Sequence, residues 1–473
     1  MCAGLMWDLD KHKDDIVVIT ESGDRVSYSA LGKYCADLTH IIPHRCLVFN
    51  LCKNELGSLV GYVGFLNAGV VPLMLKSDLD AGLLHELIEK YKPDYIHAPA
   101  DMADIFSDCN CVYQNLRYAL LKTEFDRIYP LHDDLALLLT TSGSTGSPKL
   151  VRQSYKNIEA NTSSIVQYLG LTESERTITT LPMNYTYGIS IINTHLAVGA
   201  SIVLTEKALM QKEFWQQLKE YEATSFGGVP YTFEMLNRLR FERMNLPALR
   251  SVTQAGGKLS PALHEKFAKW AADAGKKFIV MYGQTEATAR MSYLPAEKSL
   301  EKCGSIGVAI PGGRFALLGE NGVEITVSET PGELVYYGDN VTMGYAECGE
   351  DLAKGDERDG RLETGDMAKF DNDGYYYIVG RKKRFLKIFG NRVNLDETER
   401  LLKGEFPNCD FACAGVDDKM SVFVTDEKIK DAVLPFLTDK LKFHASAFKV
   451  SFINAIPRNE SGKVLYKDLP EGA

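Results

Sequence analysis

The stretch LALLLTTSGSTGSPK, residues 135–149, joins an apolar run to a polar, glycine-rich one. Its first five residues predict a buried strand over 135–139. The strand is followed by hydroxyl side chains, bare glycine backbone and one cation, namely Thr141, Ser142, Gly143, Ser144, Thr145, Gly146 and Lys149. Glycines let main-chain N–H groups converge on anionic oxygens, while hydroxyls and a lysine add donors and charge. The stretch therefore predicts a phosphate-binding loop after a strand.

The order of residues in this loop differs from that of a Walker-type P-loop. A Walker loop places Lys directly after Gly and follows it with Ser or Thr. Here Pro148 precedes Lys149 and Leu150 follows it. The P-loop NTPase class is therefore excluded.

Short apolar or β-branched runs recur on both sides of the loop and alternate with amphipathic segments. Predicted strands cover 16–20, 46–51, 135–139, 201–204, 225–229, 251–255 and 278–282. Between them, residues 261–274 place Leu263, Phe267 and Trp270 at helical spacing. Such alternation predicts an α/β fold, with parallel sheets covered by helices.

The pattern of predicted strands and helices changes after Arg314. Shorter strands are predicted at 315–318, 322–327 and 332–337, separated by Gly and Pro turns, which indicates a small β-barrel-like section. The basic run Arg381–Arg384 is followed by separate helix and strand patterns. We therefore expect a large N-terminal domain over 1–380 and a small α+β C-terminal domain over 381–473.

Composition limits the classes of partner. The chain has 473 residues, 45% hydrophobic and 25% charged, with a formal net charge of −10, which argues against a nucleic-acid binder. Its 10 cysteines show no metal-ligand spacing and predict reduced thiols. The first residues lack a secretion signal, and the apolar stretch 58–75 is broken by glycines and Pro72. A cytoplasmic protein without a membrane span is expected; the oligomeric state stays open.

Further motifs follow the loop in order. They are AGGK at 255–258, YGQTEA at 282–287, ETGD at 363–366, GRKKR at 380–384 and PRNESGKV at 457–464. The YGQTEA motif ends a predicted strand, where open parallel sheets place their ligand sites. Together with residues 141–149, these motifs resemble the signatures of the adenylate-forming superfamily. That superfamily comprises acyl- and aryl-CoA synthetases, adenylation domains of peptide synthetases, and beetle luciferases.

The resemblance implies a site for ATP. Tyr282 would stack on adenine, Thr285 would touch the α-phosphate, and Glu286 would hold Mg²⁺, a hard cation that prefers carboxylate oxygen. Asp366 would accept hydrogen bonds from the ribose hydroxyls. The remaining nucleotide-binding residues implied by the resemblance are the phosphate loop, Gly256, Gly257, Lys258, Gly283, Gln284 and Arg381.

The resemblance also assigns roles in the C-terminal domain. Lys463 corresponds to the catalytic lysine that enters the site during adenylation. Lys383 corresponds to the hinge about which a mobile small domain swings. Lys387 belongs to the stretch that faces the site in the second half-reaction and is counted as catalytic, and Gly390 would let a pantetheine arm pass.

The acyl pocket is expected to include Tyr185, Tyr187, Gly188, Val229 and Pro230. Amino-acid-activating relatives carry Asp where this chain has Gly188, so an α-amino acid is disfavoured. The aromatic and apolar residues favour an apolar or aromatic acid, although core packing explains either tyrosine as well. Tyr155 and Tyr185 depart from many relatives, which have His at or near these positions.

The implied reaction is ATP-dependent formation of an acyl-adenylate with release of pyrophosphate, followed by acyl transfer to a thiol. Coenzyme A is the first expectation for that thiol, and a carrier-protein phosphopantetheine is the alternative. A non-catalytic AMP-binding module is a third interpretation, which the presence of Lys463 and Glu286 disfavours. A luciferase-type oxygenase has no feature in its favour, since fold alone does not fix function. The implied cofactors are ATP, Mg²⁺ and coenzyme A.

Overall fold

The computed structural model describes residues 6–140, 149–389, 391–458 and 464–470. The chain divides into two units. The first comprises Met1–Arg314 and Tyr336–Leu362, and the second comprises Phe315–Val335 and Glu363–Ala473. The second unit thus takes in more than residues 381–473, and the functional boundary after residue 380 stays a prediction.

The helices and strands follow the predicted alternation of the two kinds of element. The helices are α1 Tyr28–Thr39, α2 Leu56–Asn67, α3 Ala81–Tyr91, α4 Tyr155–Leu169, α5 Thr186–Val198, α6 Lys212–Glu220, α7 Pro230–Arg238, α8 Pro261–Asp273, α9 Leu395–Glu405 and α10 Lys430–Leu441. The strands are β1 Ile16–Ile19, β2 Arg25–Ser27, β3 Leu47–Cys52, β4 Val71–Lys76, β5 Tyr95–Pro99, β6 Asn110–Asn115, β7 Tyr118–Lys122, β8 Leu135–Thr140, β9 Leu150–Ser154, β10 Arg176–Ile178, β11 Ser201–Val203, β12 Ser225–Gly228, β13 Ser251–Gln254, β14 Lys277–Tyr282, β15 Ser292–Tyr293, β16 Val308–Ala309, β17 Arg314–Leu318, β18 Gly332–Tyr337, β19 Gly344–Ala346, β20 Arg361–Phe370, β21 Tyr376–Arg381, β22 Phe385–Ile388, β23 Asn391–Asn394, β24 Phe411–Val416, β25 Lys419–Val424 and β26 Phe448–Phe452.

Two large sheets form the frame of the first unit. One has the order β16-β15-β14-β13-β12-β10-β11-β1-β2, and the other has the order β19-β9-β8-β4-β3-β5-β7-β6. The predicted parallel pairing is confirmed at their centres, in β1 with β11, β12 with β13, β13 with β14, and β3 with β4 and β5. The edges are antiparallel, and β8 and β9 form a hairpin on either side of the phosphate loop.

Burial explains why the central strands are apolar along their whole length. Phe49 on β3, Leu73 on β4 and Leu138 on β8 are all fully buried. Helices cover both faces of a parallel sheet, so a central strand has no side in water. Burying each such side chain stabilises the fold by about 1.5–3 kcal/mol.

Local sequence explains where the helices next to the phosphate hairpin begin and end. The Ser154 hydroxyl accepts from the Asn157 N–H at 3.1 Å, and the Asn157 side chain accepts from the Ser154 N–H at 2.9 Å. This reciprocal capping starts α4 directly after β9. Gly170, at φ +66°, ends the same helix in the left-handed conformation that suits glycine.

The second unit contains smaller sheets. Strands β17-β18-β20-β21 form one sheet that lies mainly in this unit, and β24-β25-β26 and the pair β22-β23 form the others. The strand predicted at 322–327 is not formed, and only an isolated bridge joins Leu318 to Glu324. Val323 and Val327 are exposed there. Within the described chain, every helix is too short or too polar to cross a lipid bilayer.

Candidate active site

The motif 282–287 begins where β14 ends. The Gln284 amide donates to the Tyr282 hydroxyl at 3.2 Å, and Thr285–Ala287 form one short 3₁₀ turn. A Cβ on Gly283 would lie 1.7 Å from the Ala289 carbonyl oxygen, so only glycine fits at this position. The loop after β14 is thus folded back on itself at van der Waals distance.

A strained turn at Thr288 follows the motif. Thr288 has φ 65° and ψ −61°, and the Ala289 N–H donates to the Ala287 carbonyl at 2.7 Å. This is a γ-turn of the rare positive-φ kind, which costs backbone energy. The Thr288 hydroxyl donates to the Asn340 carbonyl at 2.8 Å, and the Thr288 carbonyl accepts from the Thr186 hydroxyl. These contacts hold the turn in place.

The carboxylate of Glu286 is oriented by a tyrosine from β19. The Tyr345 hydroxyl donates to Glu286 Oε1 at 2.7 Å, and Arg358 donates to the Glu286 carbonyl at 3.0 Å while stacking on the Tyr345 ring. Burial first, and then the Glu286 carboxylate, raise the pKa of Tyr345 to about 12, so the phenol is a donor at neutral pH. Among the described side chains, none forms an ion pair with the Glu286 carboxylate. An oriented carboxylate without a protein cation fits the role of a Mg²⁺ ligand.

Lys149 also lies near the Tyr345 ring. Its Nζ is 5.5 Å from the centroid of the Tyr345 ring and forms an ion pair with Glu347. The backbone explains the proximity, because Tyr345 on β19 pairs with Val151 on β9, two residues after Lys149. The structure therefore brings the end of the phosphate loop beside Glu286. The other predicted loop residues lie outside the described residues, namely Thr141, Ser142, Gly143, Ser144, Thr145 and Gly146.

Arg152 links β9 to the segment that contains Tyr345. Its guanidinium is fully buried and pairs with Glu357 at 2.5 Å. It also donates to the carbonyls of Met343 at 3.1 Å, Tyr345 at 3.0 Å and Gly355 at 3.2 Å. Sequence reasoning missed this residue; an arginine within the apolar run that follows the phosphate loop was the available sign.

The AGGK segment lies next to residues of the predicted acyl pocket. A Cβ on Gly256, which has φ +83°, would lie 2.6 Å from the Tyr185 hydroxyl and 3.0 Å from Val229. A Cβ on Gly257 would lie 3.0 Å from Pro230. Two segments predicted separately, one for adenine and one for the acyl group, are therefore neighbours. Lys258 is exposed beside them.

Tyr187 and Gly188 show how the first turn of α5 packs. The Tyr187 hydroxyl shares a hydrogen bond of 2.7 Å with Thr253 Oγ1 and would be 2.8 Å from a Cβ on Gly227. A Cβ on Gly188 would be 2.4 Å from the Pro182 carbonyl. Position 188 therefore has no room for an aspartate.

In the second unit, Asp366 and Arg381 are brought together. They are register partners on β20 and β21, and Arg381 Nε lies 2.8 Å from Asp366 Oδ1. The Asp366 side chain is 3% exposed and that of Arg381 is 48% exposed. A buried carboxylate held by an arginine is able to accept hydrogen bonds from a sugar.

The remaining predicted residues follow in the same unit. Lys383 lies in the short 3₁₀ turn Lys382–Arg384, and Lys387 is exposed on β22, where its N–H donates to Asp417 at 2.8 Å. Gly390 and Lys463 lie outside the described residues.

The structure describes the residues on either side of the segment that contains Lys463, which we call the base of this segment. Arg458 and Val464 form a bridge on either side of it. Two residues further on, the Tyr466 hydroxyl donates to Glu399 Oε2 at 2.9 Å, and the Arg384 guanidinium lies 3.7 Å from the Tyr466 ring centroid. Arg384 also pairs with Glu399, so the residue next to Lys383 and the base of the Lys463 segment share one network.

Comparison with known proteins identifies the class. Residues 5–346 match the family described as AMP-binding enzyme. The chain is 31% identical over 350 residues to an oxalate–CoA ligase of Arabidopsis thaliana, covering 70% of this chain and 66% of that protein. It is 29% identical over 353 residues to a 2-succinylbenzoate–CoA ligase of Bacillus licheniformis, covering 72% and 71%. The match to the plant ligase thus spans just under two thirds of that protein's length.

Solved structures share the fold. The o-succinylbenzoate CoA synthetase of Bacillus subtilis, in complex with its acyl-adenylate intermediate, superposes with a TM-score of 0.76 at 20% identity, over 97% of this chain and 96% of that one. ATP-bound MatB from Rhodopseudomonas palustris gives 0.76 at 23% identity, over 99% and 98%. The chain belongs to the family of AMP-binding enzymes, the adenylate-forming superfamily that its motifs predicted.

Proposed function

We propose that the protein is an AMP-forming acid–CoA ligase. The observation that carries this proposal is the contact between the two nucleotide motifs, in which Tyr345 touches both Glu286 and Lys149. A carboxylate suited to Mg²⁺ accepts from the Tyr345 hydroxyl, and a lysine suited to phosphate lies near the ring of the same tyrosine. The relatives named as CoA ligases support the same activity.

In the proposed adenylation, the acid's carboxylate attacks the α-phosphate of ATP and pyrophosphate leaves. Both reactants are anions, so the residues must supply positive charge and alignment. Lys149 and the phosphate loop bind the departing phosphates, and Lys463 supplies the cation at the α-phosphate. Glu286 would hold Mg²⁺, which would supply positive charge to the phosphate oxygens. Asp366 and Arg381 are proposed to bind the ribose, and Tyr282 the adenine.

In the second proposed step, the thiol of coenzyme A attacks the acyl carbonyl and AMP leaves with the electron pair of the broken anhydride bond. A rotation about Lys383, which withdraws Lys463 and brings Lys387 and Gly390 to the site, is part of the proposal. Tyr185, Tyr187, Val229 and Pro230 are proposed to line the acyl pocket. A carrier-protein phosphopantetheine stays the alternative thiol.

Acid-dependent release of pyrophosphate tests the proposal. The full chain is mixed with ATP, Mg²⁺ and short, medium and long fatty acids, dicarboxylic acids, benzoates, cinnamates and amino acids, with and without coenzyme A. We expect release with at least one acid and faster turnover with coenzyme A. Lys463→Ala is expected to abolish release, whereas Lys467→Ala, at an exposed lysine four residues on, leaves it unchanged.

Each alternative has its own outcome. Release without stimulation by coenzyme A favours a carrier protein as the acceptor. Bound AMP or ATP without release, across the whole panel, favours the non-catalytic module and overturns the ligase.

A further inference from the structure

Arg290 is an interior arginine close to the candidate active site. It lies four residues after Glu286 and is 2% exposed. The Asn161 amide donates to the Arg290 carbonyl at 2.8 Å, and the Asn340 amide donates to the same oxygen at 3.2 Å. The main chain at this residue is therefore fixed, which limits where the guanidinium can lie.

Among the described residues, the guanidinium contacts neutral groups. Its Nη1 donates to the Tyr168 hydroxyl at 3.2 Å and contacts Met281 Sδ at 3.3 Å, and its Cζ lies 5.0 Å from the centroid of the Tyr187 ring. Within the described chain, no Asp or Glu pairs with Arg290, and its Nε has no hydrogen-bond acceptor. An arginine does not lose its proton under ordinary conditions. A permanent positive charge is thus buried without a counter-ion among the residues that the structure describes.

Such a charge is costly. A buried cation without a partner is strongly unfavourable, and a neutral phenol, a thioether and an aromatic face compensate it only in part. If the side chain at position 290 served only to fill the core, methionine or leucine would be sufficient. An anion that arrives from outside the chain would remove the penalty and complete the hydrogen bonds of the guanidinium.

The surroundings indicate which anion. Met281, Tyr187 and Val229 belong to one apolar cluster, and Tyr187 and Val229 are proposed acyl-pocket residues. The acid's own carboxylate is the group that becomes attached to AMP. An anion at Arg290 must therefore be a second acidic group on the same substrate.

We propose that Arg290 recognises this second group and that the substrates are dicarboxylic acids. The planar guanidinium suits a carboxylate, to which it is able to donate two parallel hydrogen bonds. This inference rests on the proposed function, because it assigns one carboxylate of the substrate to adenylation. It changes the expectation of an apolar or aromatic acid to that of an acid with a second carboxylate, bound in a pocket with aromatic walls and one cation.

Binding to the full chain tests the proposal independently of catalysis. Malonate, succinate, glutarate and adipate are titrated calorimetrically against propionate, butyrate, pentanoate and hexanoate, the monocarboxylates of equal carbon number. At least one diacid is expected to bind about 10- to 100-fold more tightly than its partner, the range for hydrogen bonds to charged groups. The same preference is expected in kcat/KM for pyrophosphate release.

Arg290→Met keeps much of the side-chain volume and removes the charge. It is expected to lose the diacid preference while monocarboxylate binding is retained, and Arg290→Lys is expected to restore part of it. Arg314→Met is the matched control, because Arg314 also lies over a tyrosine ring, that of Tyr337 at 4.3 Å. Removal of an uncompensated buried charge favours a folded variant.

The outcomes separate this proposal from the ligase itself. Equal binding of diacids and monoacids by the wild type overturns the role of Arg290, and so does a preference that survives in Arg290→Met. A role confined to packing would move the melting temperature and leave the preference unchanged. Absence of pyrophosphate release with every acid overturns the ligase, while the calorimetric comparison still decides the role of Arg290.

Discussion

The hydroxyl of Tyr345 donates to the carboxylate of Glu286 at 2.7 Å, across 59 positions of sequence. Tyr345 is held by β19, whose pairing with β9 also places Lys149 against the same ring. One phenol thereby fixes the relative positions of the proposed Mg²⁺ ligand and the proposed phosphate cation. This relationship makes Tyr345 a positioning residue whose removal has a specific consequence.

Tyr345→Phe is expected to raise the Mg²⁺ concentration that gives half-maximal pyrophosphate release by about tenfold, because the Glu286 carboxylate loses its orienting donor. A titration with Mg²⁺ at saturating ATP and acid measures this. Tyr113→Phe is the matched control, since Tyr113 lies on β6 at the opposite edge of the same sheet. An unchanged Mg²⁺ requirement in Tyr345→Phe contradicts the assignment.

Gly283→Ala is expected to lower the free energy of unfolding by about 1–3 kcal/mol, since a Cβ there meets the Ala289 carbonyl at 1.7 Å. ATP affinity is expected to fall in parallel, because the same loop carries Tyr282 and Glu286. Urea unfolding and calorimetric titration with ATP measure the two effects. Gly404→Ala in α9 is the control, since its Cβ meets open space and alanine favours a helix by about 0.5–1 kcal/mol.

Tyr466→Phe is expected to slow pyrophosphate release about tenfold, because the Lys463 segment loses its hydrogen bond to Glu399 at the base. Transfer from a supplied acyl-adenylate to coenzyme A is expected to continue at the wild-type rate. Tyr377→Phe, which removes a 3.3 Å hydrogen bond to Asp371 in the same unit, is the matched control. Equal losses in both half-reactions would show that Tyr466 acts only through general stability.

Two buried histidines predict a loss of stability in mild acid. Burial lowers the pKa of His97 to about 3 and that of His195 to about 4. Both values lie below the ordinary value near 6.5, so the unfolded chain binds more protons as the pH falls through 6.5. Stability is complete above that pH and decreases below it, by about 1 kcal/mol for each histidine between pH 6.5 and 5.5.

Urea unfolding at pH 7.5 and pH 5.5 measures this dependence. His97→Gln is expected to remove about half of the contribution that His97 and His195 make to the difference between the two pH values. The same substitution at His85, which is exposed on α3, leaves the difference unchanged. A wild-type stability that is equal at both pH values would contradict the prediction.

The sequence predicted the frame of the first unit well, for a physical reason. Strand β8 is apolar over 135–139 because both sheet faces are covered, and the bounds of β8 and β13 were predicted within one residue. The segment 322–327 was wrongly predicted as a strand because its valines have no partner surface. An alternating sequence pattern indicates that a segment tends to form a strand. It does not show whether a neighbouring strand is available to pair with it.

The contacts of individual site residues were harder to predict from the sequence than the strands were. The motifs located Glu286 and Lys149 in sequence, but their common neighbour Tyr345 emerges only from the pairing of β19 with β9. Arg290 resembles any loop arginine until its burial and its neutral neighbours are known. Burial without a partner is a property of the folded chain, and no local pattern encodes it.

The pairing of β9 with β19 also concerns the newly made chain. Strand β9 ends at Ser154, whereas β19 begins at Gly344, roughly 190 residues later. A ribosome that adds about 5–20 residues per second needs roughly ten to forty seconds to make that length. During this interval, one edge of β9 offers free N–H and C=O groups to any strand nearby. The nascent protein is therefore most exposed to mispairing before residue 344 emerges, and a chaperone that shields β9 in that window would raise the yield of native protein.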